Sequence, residues 1–217
     1  MYWRLLPHAF ACFAGDKLIL LDLRQDRYFA VPAPLLPSMR EWLERTNFCA
    51  PPDNVAELLT RSRILRSGDP PPTNATRERV SIPTNLAGPT ARELPVPVLR
   101  QAATILSTWI RLRSLPLRHL LNNRAATTVA ERPADSEAVS VCAALYDRGR
   151  SFTPIPRNCL LDSLALDRTL AQQGLSATLV FGVCPTPFAA HCWLQTGNLI
   201  LNDSFDHVSR FTPIYAS

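Results

Sequence analysis

The stretch Arg157-Asn158-Cys159-Leu160-Leu161-Asp162-Ser163-Leu164 decides how this chain is interpreted. Cys159 stands at the start of a largely apolar segment that closes at Gly174, a residue type that favours helix C-termini. The pattern predicts a helix from about Cys159 to Gln173, apolar on more than one side and so buried between other elements. A helix N-terminus favours a thiolate through its unpaired N–H groups and the positive end of its dipole. Cys159 is therefore a candidate nucleophile, although a buried small residue is the simpler interpretation of one cysteine.

Two later residues, His191 and Asp203, favour the interpretation of Cys159 as a nucleophile. The sequence predicts strands at His191–Gln195 and Leu199–Asp203, joined by a three-residue loop at 196–198. In that register His191 lies directly opposite Asp203 and both project to one face, where a carboxylate orients an imidazole. Trp193 and Gln195 would share that face. The backbone N–H of Cys159 is the expected first oxyanion donor, and the second donor stays open.

The first third of the chain has a different pattern. It predicts three strands followed by helices, a small winged-helix-like unit over residues 1–66. Asp53 is the expected cap of the last helix. The predicted strands and helices are Ala9–Phe13, Lys17–Leu23, Arg27–Val31, Leu35–Glu44, Asp53 or Asn54 to about Arg61, and the short strand Ile64-Leu65.

A proline-rich linker is predicted at 67–96, because prolines and glycines at this density disfavour regular structure. The C-terminal domain is expected at 97–217, opening with a helix to about Ser114. A further helix is predicted from Asp135 or Ser136 to near Gly149, then a strand at Ala177–Val183 and an edge strand at 211–214. The fold class predicted is α+β.

Composition excludes several functions. A net charge of +5 with 19% charged residues comes from arginines spread along the chain, so nucleic acid is not the expected partner, even though Arg61, Arg63 and Arg66 cluster. No apolar run suits a membrane span or a secretory signal, and a cytoplasmic location with reduced cysteines is expected. A zinc site from Cys184, His191 and Cys192 lacks a fourth ligand, so no metal is predicted.

The residues around the candidate site resemble a known family. Arg157-x-Cys159-Leu160, Phe181-Gly182-Val183, Pro187-Phe188-x-Ala190-His191-x-Trp193-x-Gln195 and Asp203 are similar to the B protein of lasso-peptide biosynthesis. The resemblance implies a transglutaminase-like (papain-like) fold that removes the leader of a ribosomally made precursor peptide. It also implies the roles: Cys159 as nucleophile, His191 as general base and acid, and Asp203 as the orienting carboxylate.

The N-terminal unit resembles the leader-recognition element of such pathways, which is similar to the peptide chaperone of pyrroloquinoline quinone biosynthesis. The resemblance is carried by Gly15-Asp16-Lys17-Leu18-x-Leu20-Leu21-Asp22 and Asp26-Arg27-Tyr28-Phe29. It implies that the leader adds as a strand beside the third strand, in a groove completed by the last helix. The residues expected to bind it are Arg27, Tyr28, Phe29, Val31 and Leu58.

The family implies two partners, the precursor peptide and a separate macrolactam synthetase that uses ATP. This chain has seven glycines and none in a phosphate-binding loop pattern, so no cofactor is expected in it. Two other functions stay open at this point. The same three residues would serve a transglutaminase or acyltransferase, and the chain would also suit a non-catalytic peptide-binding adaptor.

Overall fold

The computed structural model describes residues 2–44, 49–68, 98–127, 136–197 and 199–217. The chain divides into two compact units, Met1–Arg79 and Val80–Ser217. Most of the predicted linker, from residue 69 to 96, lies outside the described residues. Within the described residues, no helix has the length and apolar character that a membrane span requires.

The N-terminal unit combines five described strands with two helices. Strands β2, β3 and β4 form an antiparallel sheet in that order, and β1 pairs with β5. Pro32 precedes a single 3-10 turn that leads into α1. The bounds are β1 Tyr2–Leu5, β2 Ala9–Ala14, β3 Lys17–Asp22, β4 Arg27–Ala30, α1 Leu36–Glu44, α2 Asp53–Arg61 and β5 Leu65–Gly68.

This unit has its own hydrophobic core between the sheet and the helices. Turns with positive φ at Gly15 (58°) and Asp26 (53°) reverse the chain between the strands. The buried Asp22 carboxylate accepts the Arg24 N–H at 2.8 Å and so fixes the second turn. The core side chains are those of Ala9, Leu18, Leu20, Val31, Met39, Trp42, Val55, Leu59 and Ile64.

Two local predictions for this unit need correction. The sequence pattern missed β1, whose partner strand lies some sixty residues later and leaves no local signal. Asp53 does not cap α2: Pro52 occupies the N-cap and Asp53 is the first helical residue, where its charge suits the helix dipole. The mixed α and β composition is confirmed, and the winged-helix-like class stays a prediction.

The C-terminal unit packs helices against a four-stranded antiparallel sheet of order β8-β7-β6-β9. Helix α6 contacts α3, α5 and β7, and its buried residues lie on several sides, as predicted. The predicted edge strand is confirmed as β9. The bounds are α3 Val98–Ser114, α4 Leu117–Thr127, α5 Ser136–Arg150, α6 Cys159–Ala171, β6 Thr178–Pro185, β7 Phe188–Thr196, β8 Leu199–Ile200, α7 Phe205–Val208 and β9 Thr212–Ala216.

Glycine has a definite role at two positions of this unit. Gly174, three residues after the end of α6, has φ +72°, where an L-residue would be strained, and the Leu175 N–H bonds back to the Leu170 carbonyl. Gly182 lies on β6 opposite His191. A Cβ at Gly182 would lie 2.8 Å from the Trp193 ring, so the buried indole requires glycine there.

The hairpin register differs from the prediction by one residue. Thr196 pairs with Leu199 and Gln195 with Ile200, which leaves two residues between the strands instead of three. Gly197, with φ +50°, permits this tighter turn. Strand β8 ends at Ile200, so the predicted pairing of His191 with Asp203 within a ladder was wrong.

Candidate active site

Cys159 is the first residue of α6. Asn158 caps the helix: its side-chain oxygen accepts the N–H groups of Leu160 and Leu161 at 3.1 and 3.2 Å. Neither of these two hydrogen bonds uses the N–H of Cys159. The sulfur therefore lies at the positive end of the helix dipole, as the sequence predicted, beside a donor suited to an oxyanion.

A buried arginine holds the segment that leads into α6. Arg150 is 2% exposed and pairs with Asp162 on the first turn of α6, Nε to carboxylate at 2.5 Å. Its guanidinium also donates to the carbonyl oxygens of Thr153, Ile155 and Pro156. The other carboxylate oxygen of Asp162 accepts the Asn158 N–H at 3.2 Å. These bonds fix the path of the backbone immediately before Cys159.

His191 and Asp203 meet even though no ladder joins them. The His191 Nε2 lies 2.5 Å from a carboxylate oxygen of Asp203. The last ladder-like bond is from the Leu201 N–H to the Leu194 carbonyl, after which the chain bends away from the sheet. The contact predicted from an incorrect register is therefore present, because the bend returns Asp203 to the histidine.

Asn202 substitutes for the missing ladder. Its side-chain oxygen accepts the Leu194 N–H at 2.8 Å, and its amide donates to the Ser163 hydroxyl on α6, also at 2.8 Å. Ser163 in turn donates to the Cys192 carbonyl at 3.3 Å. The helix that carries the cysteine, the strand that carries the histidine and the segment that carries the aspartate are thus hydrogen-bonded together.

The cysteine is activated by its surroundings. The Cys192 thiol hydrogen-bonds to the Cys159 sulfur, and this contact is the largest cause that lowers the pKa of Cys159. Burial opposes the shift, while His191 and the Cys192 backbone support it, and the pKa falls to about 4. Cys159 is therefore a thiolate at neutral pH.

The histidine is shifted in the opposite direction. Burial favours neutral His191, but hydrogen bonds to Asp203 and Cys159, together with their charges, outweigh it and raise its pKa to about 9. Burial would raise the pKa of Asp203, yet the hydrogen bonds from His191, His207 and the Ser204 N–H lower it to about 2. At neutral pH the three groups are thiolate, imidazolium and carboxylate, which is the state that a cysteine nucleophile requires.

His207 belongs to this group, although the sequence analysis sets it aside as a candidate because it follows the predicted strand and has no opposed partner there. Its Nδ1 lies 3.0 Å from the Asp203 carboxylate, four residues earlier, and its ring centroid lies 4.6 Å from that of His191. The missed element is α7, a single turn capped by the Ser204 hydroxyl. A serine three residues before a histidine was the available signal, because Ser204 accepts the His207 N–H.

A cleft of ≈630 Å³ opens at these residues. The cleft has the size of a ligand pocket and gives the Cys159 sulfur access from outside. Helix α5 and the segment before α6 supply one side, and the histidine strand and its following bend supply the other. The lining residues include Ala143, Asp147, Arg148, Arg157, Asn158, Cys159, His191 and Asp203.

Among the described residues, the group with metal-ligand spacing is His191, Asp203 and His207, whose ligand atoms lie within 4.8 Å of one another. This group differs from the set Cys184, His191 and Cys192, which the sequence analysis considered as a zinc site. The hydrogen bonds within the group already account for its geometry. The prediction of no metal stays a prediction.

The residues expected to bind a leader occupy different environments in the N-terminal unit. Strand β4, which carries Arg27, Tyr28 and Phe29, is at the edge of the described three-stranded sheet. Phe29 and Leu58 are partly buried against the core. Val31 is 5% exposed and belongs to the core itself, so its side chain has a packing role.

Comparison with known proteins identifies the family of the C-terminal unit. Residues 102–216, just over half the chain, match a family model described as Transglut_core3, the transglutaminase-like superfamily. The chain is also similar to the microcin J25-processing protein McjB of Escherichia coli, with 40% identity over 47 residues. That match covers 22% of this chain and 23% of the relative, so the chain spans under a quarter of its length. No solved structure matches significantly.

Proposed function

Because the chain belongs to the transglutaminase-like superfamily, we propose that it is a cysteine peptidase that removes the leader of a ribosomally made precursor peptide during lasso-peptide maturation. The observation that carries the proposal is the contact of Cys159 with His191 and of His191 with Asp203, at the wall of an open cleft. The similarity to McjB, a microcin-processing protein by name, favours a peptide substrate.

The three side chains suit a two-step hydrolysis. The Cys159 thiolate attacks the scissile carbonyl carbon, and the negative charge moves to the carbonyl oxygen, near the N–H of Cys159. The His191 imidazolium gives its proton to the leaving amine, the C–N bond breaks and a thioester remains. Neutral His191 then takes a proton from water as the water attacks the thioester, and the acid product leaves as the thiolate re-forms. Asp203 holds the imidazole orientation in both steps.

The N-terminal unit is proposed to hold the leader. An extended peptide would add as a fourth strand beside β4, at the sheet edge that carries Arg27, Tyr28 and Phe29. Backbone bonds would supply affinity, and the partly buried Phe29 and Leu58 would supply an apolar surface for side chains. The macrolactam synthetase is the proposed second partner. It would use ATP to close the ring on the freed amino terminus.

The test is incubation of the purified chain with a synthetic peptide whose sequence is that of the small reading frame beside its gene. Mass spectrometry should show two fragments whose masses sum to the peptide plus one water. Cys159→Ala should abolish cleavage while fluorescence anisotropy still detects peptide binding. The matched control Cys142→Ala, which removes a buried cysteine of α5, should cleave like the wild type.

The same experiment separates the alternatives. A product carrying an added amine instead of water would identify an acyltransferase that uses the same residues. Cleavage by Cys159→Ala would refute the catalytic assignment. Binding without cleavage by the wild type, in the presence and absence of the synthetase, would identify a peptide-binding adaptor.

A further inference from the structure

A second cysteine lies against the proposed nucleophile, and in the proposed hydrolysis it serves only as a hydrogen-bond partner of Cys159. Cys192 follows His191 on β7 and is 1% exposed. Its sulfur lies 3.8 Å from the Ser163 hydroxyl, which also donates to the Cys192 carbonyl at 3.3 Å. Ser163 is one turn along α6 from Cys159, so this hydroxyl fixes Cys192 on the side of the helix that carries the nucleophile.

The two sulfurs are in hydrogen-bond contact, and the Cys192 backbone also bonds to the Cys159 sulfur. Both residues contribute to the wall of the same cleft. Of these two cysteines, Cys159 is partly exposed and Cys192 is buried, so a small oxidant from solvent meets Cys159 first. An accessible thiolate beside a buried thiol is the arrangement of a reactive cysteine and its resolving cysteine.

We propose that Cys159 and Cys192 are a modification site, a reversible disulfide that forms when a hydroperoxide oxidises Cys159 and that switches the peptidase off. The loss of peptidase activity rests on the proposed function. The disulfide itself depends on the two sulfurs. In a reducing compartment such a bond would be transient, as regulatory disulfides are.

The chemistry balances in two steps. The Cys159 thiolate attacks the hydroperoxide, the O–O bond breaks, and Cys159 becomes a sulfenic acid while an alcohol or water leaves after taking a proton. The Cys192 sulfur then attacks the sulfenic sulfur, the S–O bond breaks, and water leaves with the Cys192 proton. The hydroperoxide has thereby accepted the two electrons that the two cysteines lose when they form the disulfide. A dithiol later returns them and restores both thiols.

The local charges order these steps. While Cys159 is a thiolate, its hydrogen bond and charge, with burial, hold the pKa of Cys192 well above its usual range. Cys192 therefore stays protonated and does not compete for the oxidant. Conversion of Cys159 to a neutral sulfenic acid removes that charge, so Cys192 ionises more easily at the moment when a nucleophile is needed.

The test treats the purified full-length chain with hydrogen peroxide, blocks the remaining thiols and maps the unreduced peptides by mass spectrometry. The wild type should yield a peptide pair linked through Cys159 and Cys192, and dithiothreitol should restore its untreated cleavage rate. Cys192→Ala should lose activity relative to its own untreated rate and not recover, because Cys159 proceeds to the sulfinic acid. Cys192→Ser, closer in size, repeats the test if the alanine variant does not fold.

Cys142→Ala is the matched control, since it removes a different buried cysteine and should retain both the link and the recovery. A wild-type Cys159 that becomes sulfinic acid with no link, or that pairs with another cysteine, would overturn the inference. The mapping needs no substrate. A linked pair in a chain that cleaves no peptide would therefore support the inference and count against the proposed function, and cleavage without a link would do the reverse.

Discussion

Replacement of Asp203 by asparagine tests whether the carboxylate works through His191. The Asp203 side chain is 16% exposed and that of His191 is 12%, so solvent screens their 2.5 Å contact only weakly. Asparagine keeps the size and removes the charge. The variant should therefore retain its fold and lose the stabilisation of the imidazolium.

The size of the effect follows from hydrogen-bond energies. A bond to a charged group contributes about 1.5–3 kcal/mol and a neutral one about 0.5–1.5 kcal/mol. The loss is about 1 kcal/mol if the amide oxygen still accepts from the ring, and about 3 kcal/mol if its NH₂ group faces it. At 1.36 kcal/mol per tenfold, kcat/KM should fall about 5- to 150-fold.

The assay is the pH dependence of kcat/KM for peptide cleavage, with Asp206→Asn as the matched control. Asp206 is an exposed carboxylate three residues away, and its replacement should leave the profile unchanged. In Asp203→Asn the alkaline limb should move below the value of about 9 set by His191. An unchanged rate with the limb in place would refute the role of Asp203.

Three further predictions concern the wild-type profile and the scaffold. Cleavage by the wild type should need the thiolate and the imidazolium together, so kcat/KM should rise with a pKa of about 4 and fall with one of about 9; a single limb near neutrality would contradict the ion pair. Gly182→Ala should cost about 1–3 kcal/mol in urea unfolding, because its Cβ meets the Trp193 ring, and wild-type stability would disprove that clash. Arg150→Met should cost about 3–5 kcal/mol by leaving a carboxylate unpaired, and a loss no larger than for the exposed Arg157→Met would show that the pair is dispensable.

The start of α6 could be predicted because all its signals are local. An apolar run that begins at Cys159 and the closing Gly174 predict a helix whichever elements surround it, and the structure adds the Asn158 cap. The buried environment of that helix followed from the same pattern. The strand that carries His191 could also be predicted from its local pattern, and this placed the histidine.

The approach of Asp203 was predicted for the wrong reason. A loop of three residues and a loop of two differ only in where Gly197 reverses the chain, and a shift of one residue exchanges the faces of a strand. The contact with His191 depends on the bend after Leu201 and on the side-chain bonds of Asn202. No periodicity in the sequence reports such a bend.

The remaining site residues depend on long-range contacts or lie on an element too short to leave a pattern in the sequence. His207 lies on a single helical turn, which has no repeat to detect. Cys192 meets Cys159 across 33 positions of chain (192 − 159), through the packing of α6 on β7. Strand alternation puts Cys192 on the opposite face from His191 but does not reveal which helix residue it meets.

The central claim, that Cys159 is a nucleophile held as a thiolate, is tested most directly by brief iodoacetamide treatment at pH 6 followed by peptide mapping. At that pH an ordinary thiol of pKa about 8.5 is under about 1% ionised. Cys159, with its pKa of about 4, should be alkylated well before the exposed Cys49, and His191→Ala should weaken that preference, because His191 is one of the groups that lower this pKa. Modification of Cys159 no faster than Cys49 would contradict the account.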